Sequence, residues 1–189
     1  MTIGILAVQG AFIEHEHILN QLHVSSFEIR KKEDLDQPMD GIILPGGEST
    51  AMGKLLRDLD MLDTLKEKIA QGLPTLGTCA GMILLAKSLY QDPTVHLGLM
   101  DMVVARNGYG RQLSSFHTQS LFNHHMIPMT FIRAPYIVEK GHDVIVLSSV
   151  NERIVAVRQN HMLATSFHPE LTSDHSVHKY FLKMITSSS

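Results

Sequence analysis

The sequence predicts an α/β protein: a three-layer sandwich with a mainly parallel central sheet and an antiparallel extension in the second half. In the first half of the chain, short apolar segments alternate with segments of helical periodicity, which is typical of a parallel sheet covered by helices. In the second half, apolar segments follow one another with only turns between them, which indicates antiparallel strands. Repeats, low-complexity tracts and linkers are absent, so we expect one domain over residues 1–189.

The first half contains four predicted strands and four predicted helices. Ile3–Val8 is a continuous apolar run, typical of a strand buried on both faces. The next predicted strands are Phe27–Arg30, Gly41–Leu44 and Pro74–Gly77. The predicted helices are Ala11–His23, a segment from about Ser49, Met61–Ala70 and Met82–Ser88.

The second half is predicted to form six strands and a closing helix. Glycine, asparagine, proline or charged residues separate the strands, and no long helix intervenes. The predicted strands are Met102–Ala105, Gln112–Leu121, Thr130–Ile132, Val144–Ser148, Ile154–Arg158 and Leu163–Phe167. The closing helix is predicted over Asp174–Ile185.

Composition and charge exclude several classes of protein. Hydrophobic residues make up 44% of the chain and charged residues 19%, as in soluble globular proteins. The net charge of −3 gives no support for binding to nucleic acid or to an acidic membrane. No apolar run approaches the ~20 residues of a membrane span, and the first residues are typical of a strand, not of a signal peptide. A single cysteine excludes an internal disulfide, so we expect a cytoplasmic protein.

Cys79, the only cysteine, lies between a predicted strand and a predicted helix. Gly77 and Gly81 flank it, two residues away on each side. This spacing matches the G-x-nucleophile-x-G elbow, a sharp turn that holds a nucleophile out over the sheet. Both glycines are needed because a Cβ atom there would crowd the backbone. We predict that Cys79 is a nucleophile; the alternative is a small buried side chain without a chemical role.

A thiolate nucleophile needs a base, and the best candidate is His168. It lies at the end of the last predicted strand, and Pro169 favours an extended conformation for it. Residues two apart in an extended chain project to the same side, so Glu170 can lie beside His168 and orient its ring. The alternative is a surface turn in which both residues are incidental.

The segment Pro45-Gly-Gly-Glu-Ser-Thr50 follows another predicted strand. Its glycines let backbone N–H groups approach a ligand closely. We predict that the N–H of Gly47 and that of Ala80, just after the nucleophile, form an oxyanion hole. Capping of a helix by Ser49 or Thr50 is compatible with this role. The segment does not favour a phosphate loop, because the G-x-x-x-x-G-K-[ST] pattern is absent.

Arg106 and Arg133 each lie near the end of a predicted strand. Either arginine can hold a substrate carboxylate, although an exposed arginine is as often solvated or ion-paired. The histidines that could bind a metal lack the spacing of a metal site, so we predict no metal. We interpret them as surface histidines: His15, His17, His124 and His125.

These residues together resemble the class I, triad-type glutamine amidotransferases. The elbow is Gly77-Thr-Cys-Ala-Gly81, and the base with its orienting carboxylate is His168-Pro-Glu170. Further segments make the chain similar, over essentially its whole length, to the glutaminase subunits of pyridoxal 5′-phosphate synthase. These segments are Ile5-Leu-Ala-Val-Gln-Gly10, Leu44-Pro-Gly-Gly-Glu-Ser-Thr50, Arg106-Asn107, Gly110-Arg-Gln112, Phe131-Ile-Arg-Ala-Pro135 and Phe167-His-Pro-Glu-Leu171. Asn107-Gly-Tyr109 departs from the family's Asn-Ser-Phe and removes a serine hydroxyl.

The resemblance implies a flavodoxin-like fold and hydrolysis of L-glutamine to L-glutamate and ammonia. Cys79 would attack the side-chain carboxamide, with His168 and Glu170 handling the protons. The implied glutamine pocket consists of Gly47, Glu48, Ser49, Arg106, Ile132 and Arg133. The implied partner is a (β/α)₈-barrel synthase subunit that receives the ammonia and makes pyridoxal 5′-phosphate, in a complex of twelve copies of each subunit. The chain itself would carry no cofactor and would show little activity until docked.

Two alternatives remain open. The chain is a glutaminase that supplies a different synthase, or it is a flavodoxin-like binding module in which Cys79 is inert. Exchange of partner subunits separates the first alternative from the leading hypothesis, and labelling of Cys79 by a glutamine-like electrophile separates the second.

Overall fold

The computed structural model describes residues 1–106 and 115–187. The strands within these ranges are β1 (Thr2–Leu6), β2 (Ser25–Ile29), β3 (Gly41–Leu44), β4 (Thr75–Thr78), β5 (Ala86–Leu89), β6 (Met100–Ala105), β7 (Ser115–Phe122), β8 (His125–Ile132), β9 (Tyr136–Lys140), β10 (Ile145–Val150), β11 (Arg153–Gln159) and β12 (Met162–Thr165). The helices there are α1 (Phe12–Gln21), α2 (Ser49–Asp58), α3 (Leu62–Ala70), α4 (Ala80–Leu85) and α5 (Ser176–Ser187), with 3₁₀ turns at Lys32–Asp36 and Pro169–Leu171. None of these helices has the length and apolar character of a membrane span.

The parallel half of the main sheet comprises β2, β1, β3, β4 and β12, in that order. Helix α1 connects β1 to β2, and helices α2 and α3 connect β3 to β4. Every residue of β3, β4 and β12 is buried, as expected for strands covered on both faces. Strands β4 and β12 end in register, with Thr78 opposite Thr165. The predicted parallel sheet is confirmed.

The antiparallel half extends the same sheet through β11, β9, β6 and β5, while β10 pairs with β11 from Arg153 to Arg158. These neighbours are antiparallel, apart from β5 and β6, which pair in parallel. Strands β7 and β8 form a separate antiparallel hairpin. The antiparallel extension is thus confirmed, although the start of the strand predicted at Gln112–Leu121 lies outside the described residues.

Two strands were not predicted from the sequence, and a third was predicted too short. The helix predicted over Met82–Ser88 ends at Leu85, because Ala86–Leu89 pairs with β6 and buries its two end residues. Strand β9 was missed, and β8 is longer than the predicted Thr130–Ile132. These strands are stabilised by partners distant in the chain, which local periodicity does not reveal.

Two hydrophobic cores cover the two faces of the main sheet. Successive residues of a strand project to opposite faces, so Ile42 and Leu44 enter one core while Ile43 enters the other. Helices α2, α3 and α4 contribute to the first core, and α1 and α5 contribute to the second. The sheet therefore lies between two helical layers, with the carboxyl ends of its parallel strands at one edge.

Candidate active site

Cys79 lies at the turn between β4 and α4, in a backbone conformation that a residue with a side chain rarely adopts. Its φ and ψ are 49° and −101°. A Cβ atom on Gly77 would lie 2.7 Å from the Gly81 carbonyl oxygen, and one on Gly81 would lie 2.1 Å from the Leu44 carbonyl oxygen. The Cys79 N–H donates to the Thr165 carbonyl at 2.8 Å. The predicted elbow geometry is thus present, and neighbouring strands hold it in place.

His168 follows β12 and contacts Glu170, as predicted. The His168 Nδ1 and Glu170 Oε1 atoms are 2.6 Å apart, and both side chains are largely buried. Burial lowers the pKa of His168, but hydrogen bonds and charges from Cys79 and Glu170 outweigh burial and raise the pKa to about 10. The contact was predicted from an extended conformation through both residues, and that reason was partly wrong. Glu170 lies in a 3₁₀ turn that begins at Pro169, and the extended chain ends at His168.

A cleft of about 820 Å³ opens over the Cys79 sulfur. Most of the predicted site residues line this cleft: Gly47, Glu48, Ser49, Cys79, Arg106, Ile132, Arg133 and His168. Two predicted residues do not line it, because Ala80 is covered within α4 and Glu170 lies behind the His168 ring. The cleft is large enough for a small polar metabolite, with the sulfur and an imidazole on its wall.

The loop before α2 is fixed by contacts from the chain that follows β1. The Ala11 N–H donates to the Gly46 carbonyl at 2.9 Å, and the Glu48 N–H donates to Gln9 Oε1 at 2.9 Å. A trans peptide places its N–H opposite its carbonyl, so the bond from Ala11 also sets the direction of the Gly47 N–H. This role of Gln9 was not predicted, since nothing local indicates a contact 39 residues away.

Glu48 caps α2, a role that was predicted for Ser49 or Thr50. Its carboxylate accepts from the N–H groups of Thr50 at 3.1 Å and Ala51 at 2.7 Å. Burial raises the pKa of Glu48, but these N–H groups outweigh burial and hold the pKa below its usual value. Glu48 is therefore an anion at neutral pH, at the rim of the cleft.

Arg106 is held in place by an ion pair and by two hydroxyl groups. Its guanidinium lies 3.0 Å from Asp92 Oδ2 and donates to Thr50 Oγ1 at 3.0 Å and to Ser49 Oγ at 3.4 Å. Asp92, which is 14 residues away in the chain, was not among the predicted site residues. These contacts fix the guanidinium at the cleft edge. The predicted segments Asn107-Gly-Tyr109 and Gly110-Arg-Gln112 lie outside the described residues.

Ile132 and Arg133 form the far wall of the cleft. The Cys79 Sγ lies 3.9 Å from the Ile132 carbonyl oxygen. Arg133 follows directly, is exposed, and has a φ of 45°, an unusual value for a residue with a side chain. Such a conformation at a cleft is typical of functional sites.

His15 is not a surface histidine, contrary to the prediction. It is fully buried, and its Nδ1 lies 2.8 Å from Nε2 of His178, which is also fully buried. Burial is the main cause that lowers the pKa of His178 to about 3, and burial also holds the pKa of His15 well below its usual value. Both rings are therefore neutral at pH 7.

These two histidines predict a loss of stability in acid. A histidine whose folded pKa is depressed takes up a proton more readily when unfolded. Stability is therefore complete above about pH 6.5 and falls as the pH drops towards 3. The expected slope is up to about 1.4 kcal/mol per pH unit for each histidine. Denaturant titrations at pH 7.5, 6 and 5 measure it.

The matched variants for this prediction are His178→Gln and His142→Gln. Glutamine at 178 keeps a donor for His15 but does not titrate, so the slope should become shallower. The His142 side chain is fully exposed, so its replacement should leave the slope unchanged. Parallel pH profiles for wild type and His178→Gln would contradict the prediction.

Comparison with known protein families matches residues 5–187 to the SNO glutamine amidotransferase family. The chain belongs to that family. A curated relative, the pyridoxal 5′-phosphate synthase subunit PdxT of Streptococcus pneumoniae (strain CGSP14), is 55% identical and covers 97% of each chain. The PdxT subunit of a second pneumococcal strain, 70585, is 54% identical over the whole of both chains.

Solved structures agree with membership of the SNO glutamine amidotransferase family. A crystal structure of a glutamine amidotransferase superposes with a TM-score of 0.92 at 41% identity, covering 97% of this chain and 98% of the other. A second glutamine amidotransferase, from Thermotoga maritima, superposes with a TM-score of 0.63 at 14% identity, covering 99% of this chain and 80% of the other. The second similarity concerns the fold alone. The class I amidotransferase fold expected from the resemblance is confirmed.

Proposed function

We propose that this chain hydrolyses L-glutamine to L-glutamate and ammonia, with Cys79, His168 and Glu170 as its catalytic triad. One observation carries the proposal: the strained, glycine-flanked Cys79 shares a cleft with His168, whose ring is held by a buried carboxylate. A nucleophile, a base and an orienting group in this arrangement are what acyl transfer requires.

In the proposed reaction, the Cys79 sulfur attacks the carboxamide carbon of glutamine and forms a C–S bond. The N–H groups of Gly47 and Ala80 stabilise the resulting oxyanion. Protonated His168 gives its proton to the nitrogen, the C–N bond breaks, and ammonia leaves a thioester. Neutral His168 then takes a proton from water as the water oxygen attacks, and cleavage of the C–S bond releases glutamate.

The raised pKa of His168 suits this sequence of steps. A pKa of about 10 means that the ring carries a proton at neutral pH and can protonate the departing nitrogen. Glu170 supports that protonated state through the 2.6 Å contact at Nδ1. The other ring nitrogen is thereby left for the sulfur and the substrate.

The proposed glutamine pocket uses both charges of the amino acid. Arg106 and Arg133 line the cleft and can bind the α-carboxylate, while the anionic Glu48 can bind the α-ammonium group. Gly47, Ser49 and Ile132 complete the pocket. Asp92 already pairs with Arg106, so the substrate carboxylate joins an existing contact instead of ordering a free side chain.

The pneumococcal relatives are pyridoxal 5′-phosphate synthase subunits, and we propose the same assembly for this chain. Its ammonia would pass to a (β/α)₈-barrel synthase subunit, in a complex of twelve copies of each, for vitamin B6 biosynthesis. The loop around Gln9 and Gly10 and the surface near Arg106 are the proposed docking face. We also propose that the chain needs no cofactor of its own and works in the reducing cytoplasm, where its single thiol stays free.

The test of this function is ammonia release from glutamine, measured with and without the barrel subunit. The expected result is slow release by the free chain and at least about tenfold faster release after docking, since docking would complete the oxyanion contacts. No release in either mixture would contradict the proposal. Faster release only with a different synthase would favour the first alternative, and failure of a glutamine-like electrophile to label the docked chain would favour the binding module.

A further inference from the structure

A row of buried polar side chains extends behind Glu170, on the side away from the cleft. His15 of α1 lies with its Nε2 3.6 Å from Glu170 Oε2 and 3.3 Å from Thr78 Oγ1. Its other nitrogen lies 2.8 Å from Nε2 of His178 on α5. All four side chains are buried. Nothing in the proposed reaction uses His15 or His178, yet buried polar groups are costly unless they interact.

The hydrogen bonds available to these four side chains favour one arrangement of their protons. Glu170 Oε2 is a buried acceptor without a hydrogen bond, and His178 Nδ1 is a buried nitrogen without a partner. If His15 carried its proton on Nδ1, its Nε2 lone pair would face the carboxylate and His178 Nδ1–H would be an unmet donor. In the other tautomer, His178 Nε2–H donates to His15 Nδ1, and His15 Nε2–H points at Thr78 and Glu170. Only this second tautomer gives both ring protons a partner and turns a donor towards the otherwise unbonded Glu170 Oε2.

We propose that His15, itself oriented by His178, is a positioning residue that fixes the Glu170 carboxylate through its Nε2–H and so keeps His168 aligned with Cys79. This inference rests on the proposed glutaminase function. Glu170 then has a ring nitrogen near each oxygen: His168 Nδ1 is hydrogen-bonded to Oε1 at 2.6 Å, and His15 Nε2 lies 3.6 Å from Oε2, a charge–dipole contact longer than a hydrogen bond. A carboxylate held at one oxygen only can rotate about its last bond, and misplacement of a catalytic group by about 1 Å costs up to about 100-fold in rate.

His15 can hold the carboxylate without cancelling its charge. The titratable groups that face His15 are His178 from α5, Glu170 and His168; His178 in turn faces His175. Burial, followed by the charges of His178 and His168, keeps the pKa of His15 low, so its ring stays neutral at the pH of catalysis. A neutral donor leaves the negative charge of Glu170 available to the His168 imidazolium.

The experiment compares three variants of the full chain, each docked on the barrel partner and assayed for ammonia release. His15→Leu removes both nitrogens, whereas His15→Gln keeps an amide N–H near the position of Nε2. The matched control is His17→Gln, which alters an exposed histidine on the same helix. We expect kcat to fall about 10- to 100-fold in His15→Leu with KM nearly unchanged. Most of the loss should be recovered in His15→Gln, and the control should match wild type.

The pH profile adds a readout that loss of packing would not change. His168 must keep its proton, and its pKa is raised by Cys79 and by Glu170. If the Glu170 carboxylate is less well fixed, the pKa of His168 falls. In His15→Leu the alkaline limb of the pH profile of kcat should therefore move to lower pH by about 0.5–1 unit. It should stay in place in His15→Gln. Melting curves and partner binding identify any variant that fails to fold.

The outcomes separate this inference from the proposed function. An active wild type with His15→Leu equal to the control would overturn the positioning role alone. Equal losses in His15→Leu and His15→Gln, with unmoved alkaline limbs, would also overturn it and indicate packing. An inactive docked wild type would instead contradict the glutaminase function. The role of His15 would be supported by three results together: a fall in kcat without a change in KM, recovery of activity in His15→Gln, and a shift of the alkaline limb in His15→Leu.

Discussion

Replacing Cys79 with alanine is expected to abolish glutamine hydrolysis and to leave docking on the barrel subunit intact. The chain has one thiol, and the proposed thioester cannot form without it. A fall in ammonia release of more than about 1,000-fold is expected, because loss of the nucleophile removes the covalent route entirely. Ammonia release and partner binding by analytical ultracentrifugation measure the two halves of this prediction.

The control for this variant is Cys79→Ser, which keeps a side chain of similar size. Serine is a much weaker nucleophile without a strong base, so this variant should also be inactive, but it should melt within a few degrees of wild type. A Cys79→Ala chain that does not dock would mean that Cys79 is a packing residue. Residual activity near the wild-type level would refute the nucleophile assignment directly.

Replacing Gly81 with alanine is expected to destabilise the fold and to eliminate activity. The new Cβ atom would lie 2.1 Å from the Leu44 carbonyl oxygen and 2.9 Å from its carbon, in the buried strand β3. Neither backbone can move without displacing the sheet, so we expect a loss of about 3 kcal/mol or more in unfolding free energy. Within a helix alanine is otherwise favoured over glycine, so any destabilisation comes from the collision.

The control is Gly72→Ala, where a Cβ atom meets nothing within 4 Å but φ is +111°. That variant isolates the cost of backbone conformation, about 1–2 kcal/mol, and should keep full activity. Denaturant titrations of both variants give the difference. A Gly81→Ala chain as stable as Gly72→Ala would show that the elbow tolerates expansion, contrary to the packing described above.

The features predicted well from sequence are those encoded over a few adjacent residues. The elbow needs only Gly77, Cys79 and Gly81 within one turn, and the His168–Glu170 contact joins residues two apart. The alternation of strand and helix in the first half is likewise local, because each burial pattern repeats within its own segment. Family resemblance then connected these pieces into one predicted site.

The features that were missed depend on contacts between distant parts of the chain. His15 lies between two glutamates and near His17, which looks like a solvated helix face, and only the fold brings His178 to it across 163 residues. Strand β9 was missed because its pairing with β6 is tertiary. Asp92 and Gln9 gave no local signal for the same reason. Sequence periodicity reports which face is buried, not what lies opposite.

The in-register ends of β4 and β12 have a consequence for how such an enzyme is switched on. Cys79 and His168 follow the adjacent strands β4 and β12, which are joined by the Cys79 N–H to Thr165 carbonyl bond. Separating the backbones of these two residues would therefore disrupt the pairing in the middle of the sheet. Gly47 and Arg133 lie on connections outside the described strands. Turning the Gly47 N–H would break the Ala11 N–H to Gly46 carbonyl bond that sets its direction, but no strand pairing. We therefore expect control by a binding partner to act on the proposed oxyanion and substrate contacts, while the proposed pair of Cys79 and His168 stays assembled.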